Sequence, residues 1–333
     1  MSERPVQFGD GGRVFGMLTE PSGGTANEGQ GPVFIILSAG MLHRVGPSRM
    51  HIPLAHSLAE LGFPVLRIDL AGKGDSPVRE GLKNQPSVAA DFTDILAGIK
   101  GIYPNAKLVL FGMCSGADNA IRLSIMEPSV IGTVLLDPVC PKDSSFQLRA
   151  LRKFLDPYRY LHRLAKMFRK SGKSVGRADN PNIDWLQFRD LPTFEQFQNS
   201  FRALKERNGA MLAVFTQDAV KYYNKQGQLE AVLDVGAFGS TATELFWPET
   251  QHTWQLSVHR RRLIDATKKW AEENFGALVP DPGQPSNSGE YRRLTASREI
   301  RTPLRVVVTG APEADDAWEA PDNVKVSTRL QRD

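Results

Sequence analysis

Residues 32 to 37 read Pro-Val-Phe-Ile-Ile-Leu, apolar without a polar break. Such a run predicts a strand buried on both faces, as in a parallel sheet covered by helices. Further strands are predicted at Pro64 to Ile68, Leu108 to Phe111, Gly132 to Leu136 and Ala210 to Phe215, and more weakly at Thr243 to Trp247. Between the runs, apolar residues recur at helical spacing over His51 to Leu61, Ala89 to Ile102, Asp118 to Glu127 and His259 to Phe275. At the N-terminus, Arg4 to Phe8 and Arg13 to Thr19 flank an Asp-Gly-Gly turn and predict a hairpin. Strands that alternate with helices imply a mostly parallel α/β sheet with right-handed crossovers. The alternation stops from about Val139 to Gly209, where aromatic and basic helical patterns stand without a strand. Residues 20 to 31 are a Pro/Gly-rich loop. After Gly276 the composition turns to Pro, Gly, Ser and charge, with one apolar run at Leu304 to Val308 that could form a strand. No internal repeat is present.

Composition narrows the class only a little. The 333 residues carry 41 Lys and Arg against 37 Asp and Glu, a net charge of +4, with 41% hydrophobic residues. This suits a large globular domain and gives no general affinity for nucleic acid. The two cysteines, Cys114 and Cys140, make no disulfide framework. With no apolar leader at the N-terminus and no run long enough to span a bilayer, the expectation is a cytoplasmic protein without a transmembrane segment.

The chemistry concentrates where the run 107 to 111 ends. Gly112-Met113-Cys114-Ser115-Gly116 then leads into a helical stretch. This is the Gly-x-Nuc-x-Gly form of a nucleophile elbow, with cysteine at the centre. Small flanking residues let strand and helix backbones close on each other, which pushes the central side chain outward. A free thiol has a pKa of ~8.5, so only a few per cent is thiolate at neutral pH unless a base or a helix N-terminus assists. Cys114 is the candidate nucleophile. Ser115 is its rival in a frame shifted by one, although the glycines fit Cys114 better. As the residue after the nucleophile, Ser115 is instead expected to give a backbone N–H to an oxyanion hole.

Three stretches together resemble the α/β-hydrolase superfamily: Ser38 to Pro47, Asp69-Leu70-Ala71-Gly72-Lys73-Gly74-Asp75-Ser76, and the elbow itself. The resemblance covers residues 1 to about 275. It is nearest to the branch that includes the hydrolases associated with exosortase systems. The Gly-x-Cys-x-Gly elbow is also similar to that of dienelactone hydrolases. This implies an α/β-hydrolase core at 1–138 and 209–275, a helical cap insertion at 139–208 and a partly disordered C-terminal extension at 276–333. It also implies a nucleophile–acid–base order along the chain. His252, after the last strand, takes the place of the base, with His259 as the fallback. Asp218, after the strand ending at Phe215, is the expected acid, and Asp137 is the alternative. Met41 is expected to give the second oxyanion N–H. Gly40, His43 and Arg44 would line the substrate site, or His43 and Arg44 would organise the loop. The loop from Asp69 to Ser76 lacks the Lys-Ser/Thr ending of a phosphate-binding loop and is read as structural.

The implied activity is hydrolysis of an ester or thioester, small or carrier-bound, through an acyl-enzyme. Acyl transfer to an amine or alcohol and a non-catalytic binding module are the alternatives. The His and Cys spacing offers no metal ligand set, and no cofactor is expected. Within the expected cap, the stretch 149–177 carries Arg149, Arg152, Lys153, Arg159, Arg163, Lys166, Arg169, Lys170, Lys173 and Arg177 against Asp156 alone. This imbalance suggests an anionic partner. Interleaved leucines and aromatics from Leu148 to Phe168 are expected to pack on the core.

Overall fold

The computed structural model describes residues 1–22, 32–152, 190–233, 235, 239 and 241–279. The chain divides into units Met1–Asn287 and Ser288–Asp333, and every described residue lies in the first. Eight strands form one sheet in the order β1-β2-β4-β3-β5-β6-β7-β8. β1 (Ser2–Phe8) and β2 (Val14–Glu20) are the expected hairpin, and β2 lies antiparallel to β4 (Val65–Ile68). From β4 onward the pairing is parallel, through β3 (Pro32–Ile36), β5 (Lys107–Met113), β6 (Val130–Leu136), β7 (Ala210–Thr216) and β8 (Ala242–Trp247).

The unbroken apolar runs have a simple cause: both faces of the sheet are covered. Val33, Ile35, Leu108, Leu110, Met211 and Ala213 face one buried cluster. Their neighbours Phe34, Ile36, Val109, Phe111, Leu212 and Val214 face the other. Successive side chains of a strand point to opposite faces, so nearly every position is apolar, with Arg67 in β4 and Thr133 in β6 as buried polar exceptions. The second cluster is covered by α1 (His51–Glu60) and α7 (Ser257–Phe275), through Leu54, Leu58, Leu263 and Trp270. The first is covered by α2 (Asn84–Ile102), α3 (Ser115–Met126) and α5 (Phe194–Glu206).

α2 begins five residues before the expected Ala89. Pro86 falls in its first turn, where an N–H has no intrahelical partner to lose. α5 is started by a capping box, with Thr193 and Gln196 bonded reciprocally. It packs on α3 and buries Phe197, Phe201 and Leu204 in the core, so this part of the expected cap, 139–208, forms a layer over the sheet. α4 (Phe146–Arg152) shows Leu148 and Leu151 exposed, contrary to their expected packing. α6 (Gln228–Leu233) is short. Residues 153–189, with most of the basic stretch, and the tail run 304–308 lie outside the described residues.

Candidate active site

β5 ends at Met113, and the chain reverses into α3 at Cys114, whose backbone is forced to φ +54°. A β-carbon on Gly112 would sit 2.2 Å from the Gly116 carbonyl oxygen, and one on Gly116 would sit 3.2 Å from that of Leu37. Both contacts are with backbone, which cannot swing aside. The Cys114 N–H bonds the Leu136 carbonyl at 2.9 Å, and its own carbonyl accepts from Ala117 and Asp118 in the first turn of α3. A left-handed conformation at a residue other than glycine costs about 1–3 kcal/mol and persists where the surroundings enforce it. Here those surroundings are a strand, a helix and two glycines.

His252 lies in the loop between β8 and α7. A ladder of turns fixes that loop, with Thr250 N–H bonded to Trp247, Gln217 N–H to Thr250 and Trp254 N–H to Gln251. The fully buried Trp254 anchors its far end. The imidazole is hydrogen-bonded to both Cys114 and Asp137. The Nδ1 to Asp137 Oδ2 distance is 2.5 Å. Burial alone would lower the imidazole pKa. The hydrogen bonds to Asp137 and Cys114, and the negative charge each can carry, outweigh burial and raise it from 6.5 to about 10. A charged imidazole between two acids is the arrangement that keeps a thiol ionised.

The carboxylate beside His252 therefore belongs to Asp137, not to Asp218. Asp137 directly follows β6, is 2% exposed, and has φ +48°. Its Oδ1 accepts from the Thr216 N–H and its Oδ2 from the Thr216 hydroxyl, each at 2.6 Å. The end of β7 thus clamps the acid but does not supply it. After Thr216 the chain enters a 3-10 turn, Gln217–Lys221, which leaves Asp218 exposed. His259, the fallback base, is on α7.

On the other side of the elbow, the Gly40 N–H donates to the Ser115 hydroxyl oxygen at 2.7 Å. Leu42 N–H closes a turn onto Ala39 O at 2.8 Å, and the Met41 side chain is 84% exposed. Met41 thus sits at the tip of a turn tied to the elbow, and the expected N–H donors, Met41 and Ser115, belong to the two tied segments.

A family model described as Hydrolase_4, serine aminopeptidase S33, matches residues 35–190. The chain has the α/β-hydrolase fold. One curated relative, esterase Rv0045c of Mycobacterium tuberculosis, is 35% identical over 81 residues. That stretch is 24% of this chain and 26% of the relative, so the match spans about a quarter of the relative's length. Similar solved structures include an esterase of Pyrococcus furiosus (14% identity, 82% of this chain and 92% of that one, TM-score 0.49). A dienelactone hydrolase of Anabaena variabilis is also similar (12% identity, 82% and 98%, TM-score 0.45).

In this chain the remaining polar residues of the site form one charged network. The Arg44 guanidinium bonds both Asp69 and Asp75, at 2.6 Å to the latter, and the Arg44 N–H bonds Asp69 at 2.5 Å. His43 lies 3.5 Å from Asp75 and 3.6 Å from Asp69. Burial would lower the Arg44 pKa, but the two carboxylates raise it, and Arg44 in turn holds Asp75 below the usual carboxylate range. Arg44 is thus committed to organising its loop, one of the two roles expected for it. His43, Asp69 and Asp75 are the described grouping with ligand atoms close enough for a metal, within 4.8 Å of one another. The guanidinium of Arg44 already supplies the positive charge there.

Two contributors were not singled out in the sequence. Thr216 reads as the polar end of an apolar strand, and only the pairing of β6 with β7 brings it to Asp137. Lys73 lies in the loop read as structural. Burial lowers its pKa, opposed by the charges of Asp91, Asp69 and Cys114, so it lies within electrostatic reach of the thiol. Arg149, the one base of the expected anionic-partner surface whose side chain is described, is taken up by Asp143, Asn224 and Gln228. Among the described residues, no helix is long and apolar enough to cross a membrane.

Proposed function

We propose that this protein is a hydrolase of carboxylic esters or thioesters, working through a Cys114–His252–Asp137 triad and a covalent acyl-enzyme. The observation that carries the reading is the imidazole of His252, hydrogen-bonded to the elbow cysteine on one side and to a buried aspartate on the other. The Cys114 thiolate attacks the carbonyl carbon. The oxyanion that forms is held by the backbone N–H groups of Ser115 and Met41. As the tetrahedral intermediate collapses, the imidazolium of His252 gives its proton to the departing alcohol or thiol. A thioester remains on Cys114. The now neutral His252 takes a proton from water, the hydroxide adds to the thioester, and the acid leaves as the thiolate is restored. Asp137 fixes the tautomer and stabilises the imidazolium, without itself taking the proton. The whole-protein activity of the esterase relative agrees with this reaction class, and the elbow of this chain differs from a serine enzyme in its central atom. A cytoplasmic location and a small or carrier-bound acyl substrate remain part of the proposal.

The test is turnover of activated short-chain esters and thioesters by the wild-type protein and by Cys114→Ala. The variant should lose at least about 10³-fold in kcat. A Cys114→Ala protein that turns over normally ends the proposal.

A further inference from the structure

We propose that the Ser115 hydroxyl is a positioning residue, a strut that holds the turn at residues 39–42 against the elbow so that the Met41 N–H faces the oxyanion. The inference rests on the triad reading above and adds a side-chain role where only the backbone N–H of Ser115 was used.

The turn needs such a support. Upstream it is tied to the sheet by Leu37 N–H to Phe111 O, 2.9 Å, and by the Ser38 hydroxyl accepting from Leu70 N–H, 3.2 Å. Downstream the next ties are His43 to Asp75, 3.5 Å, and Arg44 to Asp69. Between these anchors, Gly40 has φ +51° with open space around the position of a β-carbon, and the Met41 side chain is largely in solvent. Neither side chain therefore packs the turn into place. Among the described residues, the hydrogen bond from Gly40 N–H to Ser115 Oγ, 2.7 Å across 75 positions of sequence, joins this turn to the elbow. Its acceptor is adjacent to the nucleophile in sequence, so any shift of the turn is measured directly against Cys114. The described partners of His252 are Cys114 and Asp137, which leaves the Ser115 oxygen without the base that a nucleophile requires.

The experiment compares Ser115→Ala and Ser115→Thr in two reactions of the same thiol. Ester turnover builds an oxyanion, whereas alkylation of Cys114 by iodoacetamide is a displacement at a saturated carbon and builds none. A slack oxyanion donor should cost Ser115→Ala about 10–100-fold in kcat with KM little changed. Its alkylation rate and the pH profile of that rate should match the wild-type protein, and Ser115→Thr, which keeps the hydroxyl, should recover most of kcat. Wild-type turnover by Ser115→Ala would overturn the proposal. So would a parallel loss of turnover and alkylation, which would mean that the hydroxyl serves the thiol–imidazole pair instead. Failure of the triad reading has a separate signature: alkylation of Cys114 would leave turnover intact.

Discussion

Asp137 carries two kinds of partner at once, the Thr216 backbone and hydroxyl that lock its carboxylate and the His252 N–H that uses it. Replacing it with asparagine keeps the shape and removes the charge, so Asp137→Asn is expected to lower kcat about 10²–10⁴-fold. Asp218→Asn, at an exposed position, should stay within about twofold of the wild-type protein, since surface substitutions away from the site are nearly neutral. Steady-state kinetics of the two variants separate the assignments. The pH dependence carries the same information with a definite sign. The imidazolium of His252 should persist until about pH 10, so the alkaline fall in kcat/KM is expected near there. Asp137→Asn removes a charge that raises the pKa, and the alkaline limb should move to lower pH. An unmoved limb would contradict the role given to Asp137.

At the scale of elements, the elbow depends on two glycines that the sequence displays openly. Gly112→Ala is expected to destabilise the fold by about 3 kcal/mol or more, because the new methyl meets backbone on α3 and the strand cannot retreat from a buried sheet. Denaturant unfolding measures this. The strands and the elbow were legible for one reason: each is dictated by local rules, apolar runs for two-sided burial and small residues for a tight turn. The acid was harder to read. Both β6 and β7 are apolar strands followed within two residues by an aspartate, and both aspartates stand before His252 in the chain. What separates them is the 3-10 turn after Thr216, which leaves Asp218 exposed, and the cross-strand clamp that makes Thr216 the donor to Asp137. That choice is made by contacts 79 positions apart, beyond any local pattern. The exposed Leu148 and Leu151 show the same limit, since helical spacing marks a stripe without saying what covers it.

For the whole molecule, two histidines, His51 buried and His252 half-buried, act on stability in opposite directions. His51, 1% exposed against Phe111 with Nδ1 bonded to the Arg44 carbonyl, has its pKa lowered by burial from 6.5 to about 4. Its neutral form belongs to the fold, so stability should be lost as pH falls from about 6.5 to about 4, by about 3 kcal/mol in all. His252 has the reverse sign: its contribution is fully present below pH 6.5 and is lost as pH rises towards about 10. Thermal melts across pH should give a maximum near pH 6.5, and His51→Asn should flatten the acid side alone. Both histidines hold loops that flank the elbow, so the fold and the candidate chemistry share these supports. The most direct test of that chemistry is to trap the acyl adduct during turnover, map its position by peptide mass spectrometry, and treat it with neutral hydroxylamine. The expected result is an acyl group on Cys114 that hydroxylamine removes, as it does a thioester. An adduct on Ser115 that resists the same treatment would contradict the assignment of the sulfur as nucleophile.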